Sequence, residues 1–296
     1  RGRVAAGLAV AVGLPVLVAL GPSLPGDLGG VDVAPGPDGL RATVLPAGWR
    51  AESWRGVEVG VPGDWGYVSL STWCSVDDAA THPLVERPGR YPDLDCRPPM
   101  GPGLHFRTVA DPAPPVEPGL VAEERRLGNV VVLVATDEEE LTEQVLATAR
   151  SVERLDAAGC EVQRLVPRAG RTFPPADPGT GAVSVCRYAV GIPGANLVQS
   201  ERLSVLDSQE ALRAIDEAPT VVASQACLAG PGEEAILIAG ETGDVAWLHL
   251  GRCQGMDDAG THLLTEEVLR WALSPGWNGD RRDLPMPQRL RTVGPT

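Results

Sequence analysis

Trp49, Trp54, Trp65, Trp73 and Tyr67 all fall within GWRAESWRGVEVGVPGDWGYVSLSTWC, residues 48–74, in a chain holding seven Trp, three Tyr and two Phe. Rings at this density either stack their faces on flat ligands such as sugars, or fill a core, where an aromatic buries far more area than Val. Trp65, Tyr67 and Trp73 share strand parity with Val57, Val59 and Val61, and Trp49 and Trp54 then close one end. That pattern points to a core. Trp54, Trp65 and Trp73 are the candidates for stacking on a ligand. Six cysteines form the second group: Cys74, Cys96, Cys160, Cys186, Cys227 and Cys253. None sits in a Cys-x-x-Cys pair, which argues against a zinc or redox motif. An even number in an exported chain reads as disulfides. Many pairings are open to six cysteines; local pairing is the expectation, Cys74 with Cys96, Cys160 with Cys186 and Cys227 with Cys253.

Other chemistries lack their residues. All 25 basic residues are Arg, with no Lys, so Schiff-base, Ser-Lys and Lys-phosphate-loop chemistry have no nucleophile or cation to use. No Gly-x-Ser-x-Gly elbow appears. The four histidines, His82, His105, His249 and His262, show no zincin spacing. His82 and His105 flank Cys96 in loops and are the one pair that could converge on a metal. His249 alternates with Trp247 in a strand and reads as packed or solvated, and His262 as a surface residue before a helix. Asp257-Asp258-Ala-Gly260 lacks the further oxygen ligands of a calcium loop and reads as a turn. The 39 acidic residues offer a glycosidase many carboxylate pairs but single out none. No catalytic residue, metal ligand or cofactor is therefore expected. A formal net charge of −14 gives no footprint for nucleic acid.

The elements that would position these residues follow from pattern. RGRVAAGLAVAVGLPVLVAL opens the chain, uncharged over residues 4–20 with Arg1 and Arg3 before it. Its apolar length is close to the roughly 20 residues that cross a bilayer. A cleaved signal peptide and a retained anchor compete. Pro22 after the small-x-small candidate Ala19-Leu20-Gly21 argues for the anchor. Residues 21–42, rich in Gly and Pro, form a spacer.

From residue 43, VEVGV (57–61) and WGYVSLSTWC are strands, and the Pro-studded 81–118 reads as long loops. NVVVLVAT (129–136) is a buried strand. Thr136-Asp-Glu-Glu139 matches a capping box opening a helix over 137–155, so the acidic run 137–140 reads as a dipole-stabilised helix start. A second region takes strands at 182–190 and 196–204, then a helix capped at Asp207-Ser-Gln-Glu210 that ends before Pro219. EAILIAG and VAWLHL are strands joined by a hairpin at Glu241-Thr-Gly-Asp244. LLTEEVLRWAL is a closing helix with Thr265 as N-cap, and the tail after Trp277 is polar and Pro-rich. The fold class expected is α+β: an N-terminal transmembrane anchor (1–20), a linker (21–42), and two small antiparallel-sheet-plus-helix domains, 43–157 and 158–296, stabilised by disulfides.

GWRAESWRGVEVGVPGDWGY followed by VVVLVAT…LTEQVLATARSV resembles exported domains of the PsbP/Mog1-like type, which share a Trp-rich opening, a VP-x-x-W turn and a final strand and helix. The second region, SVCRYAV…LVQSERLS…LHLGRC…DDAGTHLLTEEVLRWA, resembles the ends of membrane-anchored proteins of high-GC Gram-positive bacteria, a group that carries no established activity. Some of these resemble proteins encoded beside extracytoplasmic-function sigma factors, which implies signalling. The expectation is a single-pass, extracytoplasmic, non-enzymatic binding protein at the cell membrane, acting as sensor, regulator or accessory subunit. Its expected partners are the membrane, through the N-terminal helix, and another envelope protein. A cell-wall polysaccharide module using Trp54, Trp65 or Trp73 is one alternative, and an envelope hydrolase with unidentified carboxylates is the other.

Overall fold

The computed structural model describes residues 44–67, 83–88, 99–165, 181–191, 194–220, 233–241, 243–250, 254–256 and 262–273. The expected anchor and spacer, Trp73, His82, Cys74, Cys96, Cys227, Cys253, the turn at 257–260 and the tail after Trp277 lie outside them. Among the described residues no helix is long and apolar enough to cross a membrane.

The class is mixed α+β, with three sheets, three helices and one disulfide among the described residues. The first part of the chain gives β1 (Trp49–Trp54), β2 (Val57–Pro62), β3 (Gly66–Tyr67), β4 (Leu84–Glu86), β5 (Gly103–Thr108), β6 (Val121–Leu127), β7 (Val130–Thr136), α1 (Glu139–Thr148) and β8 (Arg150–Ser151). The rest gives β9 (Gln163–Arg164), β10 (Ser184–Val190), β11 (Ala195–Arg202), α2 (Val205–Asp216), β12 (Glu234–Gly240), β13 (Gly243–Leu250), β14 (Gln254–Met256) and α3 (Glu266–Ala272).

β1 and β2 make a hairpin whose two-residue turn, Arg55-Gly56, has φ of 47° and 76°. Paired positive φ matches the turn to the strand twist, and Gly takes it at no steric cost. β8 extends this hairpin to the order β1-β2-β8, facing a five-stranded sheet ordered β3-β4-β5-β7-β6. Between them lies one apolar core: Trp54, Val57, Val59, Val61 and Trp65 meet Leu104, Phe106, Val132 and Val134, and α1 adds Val145 and Leu146.

The six-stranded sheet, ordered β14-β13-β12-β10-β11-β9, is antiparallel throughout. α2 and α3 cover one face, where Val185, Ile236, Ile238, Leu248 and Met256 meet Ala211, Val268 and Leu269. On the other face Cys186, Tyr188, Leu237 and Trp247 pack with Cys160 and Val162. Burial on both faces explains why β12 reads EAILIAG without polar alternation. A bulge sets Arg187 opposite Gln199 but Tyr188 opposite Leu197. The extra residue, Val198, packs into the core of Trp54 and Phe106, and Arg55 N–H donates to the Leu197 carbonyl at 2.7 Å.

Several elements differ from the sequence expectation. The 81–118 stretch contains β4 and β5 as well as loops: Leu104 and Phe106 alternate inward, a pattern obscured by the surrounding prolines. The five-stranded sheet is not purely antiparallel, since β4 runs parallel to both β3 and β5. The connections between these strands are long enough for crossovers. Gly103 sits at φ 147° where a Cβ would lie 1.9 Å from the Leu84 carbonyl oxygen, so β4 and β5 approach only because that residue is Gly. The Thr136–Glu139 capping box does not form. Glu138 is the N-cap without a side-chain bond, and the Thr136 hydroxyl instead bonds Thr142 at 2.8 Å. α1 also stops at Thr148, because 150–151 leave the helix to pair with β2. α2 starts earlier than expected, with the Ser204 hydroxyl accepting from Asp207 N–H at 3.1 Å. Thr265 does cap α3, accepting from Val268 N–H at 3.2 Å.

Candidate functional site

Polar side chains gather around β4. Its alternation sends Val85 into the core and Glu86 to the opposite face, and Arg87, just beyond the strand, returns inward. On the hairpin, Arg50 and Glu52 share the parity of Trp54 and so also point inward, at the end of the core. There the Glu52 carboxylate takes three donors: Arg87 through Nη2, Arg50 Nε at 2.6 Å and the Tyr67 hydroxyl at 2.8 Å. Arg87 Nε also donates to the Ser53 carbonyl at 3.2 Å, and the Arg50 guanidinium lies 4.7 Å from the Tyr67 ring centroid. The Glu52 and Arg87 side chains are both 2 % exposed. Removing one member of a buried pair of this kind would leave the other as an uncompensated buried charge. Burial, then the Glu52 charge, pushes the Tyr67 hydroxyl far above the ordinary phenol range, so it stays a donor. The network is a clamp that ties β1 and Tyr67 to the end of β4 through the Glu52 carboxylate.

On the other face of the sheet, Glu86 and His105 stand opposite each other in register. His105 Nδ1 lies 2.7 Å from Glu86 Oε2, with side chains 12 % and 9 % exposed. A carboxylate on Nδ1 fixes the orientation of the ring, the arrangement that serves proton relay or metal ligation. No group of three or more potential metal ligands exists among the described residues.

A third cluster joins the hairpin to the chain that follows β8. Glu58 accepts from Arg150 at 3.1 and 2.7 Å and from Ala157 N–H at 2.7 Å. Asp156 accepts from Cys160 N–H at 2.8 Å, from Ala158 N–H at 3.1 Å and from the Ser200 hydroxyl of β11. Burial raises the Asp156 carboxyl above the usual carboxylate range, against the pull of the Ser200, Cys160 and Ser53 hydrogen bonds. Cys160 is bonded to Cys186 of β10, with Cα atoms 5.6 Å apart, so the disulfide fastens this loop to the large sheet. The local pairing expected for these two cysteines is therefore present.

The other candidates are scattered. Trp54 and Trp65 are 1 % and 4 % exposed; Trp54 packs against Phe106 with ring centroids 5.9 Å apart, and neither ring offers an open stacking face. His249 is buried in β13, and His262 exchanges backbone hydrogen bonds with Met256. Sequence reasoning passed over Arg50, Glu52, Glu58, Arg87 and Asp156. One signal was available: Arg50 and Glu52 occupy the parity of Trp54, and charged residues at inward strand positions imply a buried ion pair.

Neither protein-family models, nor the curated proteins, nor the solved structures contain a match to this chain.

Proposed function

We propose that the protein is a non-enzymatic, extracytoplasmic binding protein held at the membrane by its N-terminal apolar segment, acting as a sensor, regulator or accessory subunit for another envelope protein. Two α+β domains, 43–157 and 158–296, form its exported part. The observation that carries this reading is the buried Cys160–Cys186 disulfide. Such bonds persist in oxidising compartments and are rare in the cytosol, which agrees with an exported chain behind an apolar, Arg-flanked opening. The carboxylates of Glu52, Glu58 and Asp156 are each held by several internal donors, which suits a rigid scaffold better than acid–base chemistry. The burial of Trp54 and Trp65 favours a protein partner over a stacked sugar.

Two assays on the purified protein test this. Titration with cell-wall polysaccharide is expected to leave tryptophan emission unchanged, and incubation with labelled wall material is expected to release no fragments. Saturable quenching would move the function to a wall-binding module, and fragment release to a hydrolase.

A further inference from the structure

β6 is the terminal strand of the five-stranded sheet among the described residues, and its five central residues, Ala122–Arg126, are all exposed. It is seven residues long and reads VAEERRL. An open edge of this length is a template for another strand, and charged side chains normally deter a generic one. Here the order of the charges makes the edge complementary to itself.

We infer that β6 pairs antiparallel with β6 of a second copy of this chain, joining two five-stranded sheets into one continuous sheet across a two-fold axis. A two-fold relating identical antiparallel strands must pass through a residue pair, so one residue faces its own copy. Centring on Glu124 sets Glu123 opposite Arg125 of the second copy, and Arg125 opposite its Glu123. Val121 then faces Leu127, and Ala122 faces Arg126. Glu124 tolerates the axis because it already holds a guanidinium, Arg107 Nη2 at 2.7 Å. Centring on Arg125 instead would bring two guanidinium groups together and place Glu123 opposite Leu127. Arg125 is steadied for the role, since its Nη1 donates to the Leu146 carbonyl of α1 at 3.1 Å. Among the described residues the Glu123 side chain has no ion pair or hydrogen bond, and a facing Arg125 supplies one.

Opposite charges directly across a strand pair attract and like charges repel, and symmetry doubles each effect. The full chain in mild detergent, followed by sedimentation velocity over a concentration series, is expected to show a monomer–dimer equilibrium. E123R and R125E are each expected to weaken it by roughly tenfold, and the combined E123R/R125E to restore it. E124C is expected to form a disulfide-linked dimer under mild oxidation, whereas A122C, which does not face itself, is not. Circular dichroism checks folding, and E123R, which removes no side-chain hydrogen bond or ion pair among the described residues, is the decisive single variant. A monomer at every concentration, an E123R protein that dimerises like the parent, or a double variant that fails to recover would each overturn the inference.

Discussion

Trp54→Ala separates a structural tryptophan from a ligand-stacking one. Trp54 is 1 % exposed and lies between Phe106 and Val57, with Val59, Leu104 and Val198 in the same cluster. Removing a buried Trp forfeits its transfer free energy and leaves a cavity that packed strands close only in part, a loss of about 3–5 kcal/mol. Domains of ordinary stability hold about 5–15 kcal/mol in all, so the variant should unfold at a markedly lower urea concentration. The assay is urea denaturation followed by far-ultraviolet circular dichroism. Trp54→Phe sharpens it. The Trp54 Nε1 has no hydrogen-bond partner among the described residues and is buried, so Phe gives up volume but no hydrogen bond. Its loss should be less than half that of Ala. A Trp54→Ala loss below about 1 kcal/mol would refute the packing account. Equal losses for Phe and Ala would instead mean that the indole N–H is satisfied.

Replacing Cys160 and Cys186 together by Ala should cost about 3 kcal/mol, from the loop entropy regained by the unfolded chain across a separation of 26 residues, measured by the same denaturation. Gly103→Ala should cost more than about 2 kcal/mol, because its Cβ would meet the backbone of β4 and φ 147° is strained for any L side chain; thermal melting reads it. Asp156 has a folded-state carboxyl raised by burial, so the native state binds more protons than the unfolded one as pH rises from the ordinary carboxylate range towards that raised value. Stability from this group is therefore present at acid pH and is lost as pH rises through that window. The parent should gain on Asp156→Asn as pH falls from neutrality, and a difference independent of pH would contradict this.

How much of this was legible in the sequence depends on how locally each element is determined. β7 and β12 are continuous apolar runs, and Thr265 precedes two acidic residues at the start of α3; pattern alone finds all three. The sequence over-extends α1, because ATARSV has ordinary helical character and only the pairing of Glu58 with Arg150 draws it into a strand. β4 is not legible, because three residues set no period and its place depends on Gly103 allowing β5 to approach. β6 carries four consecutive charges, which read as a solvated segment until β7 is seen beside it. The polar clusters were less legible still. Glu52 meets Arg87 from 35 positions away and Glu58 meets Arg150 from 92, distances over which a single sequence holds no pairing signal.

The function proposed for this protein is binding to another envelope protein. Cross-linking in intact cells, capture of the chain and mass spectrometry test it most directly. The account predicts one dominant protein partner, with cross-links mapping to residues 43–296. Glycan adducts without a protein partner would contradict it, and so would a chain that yields no reproducible adduct.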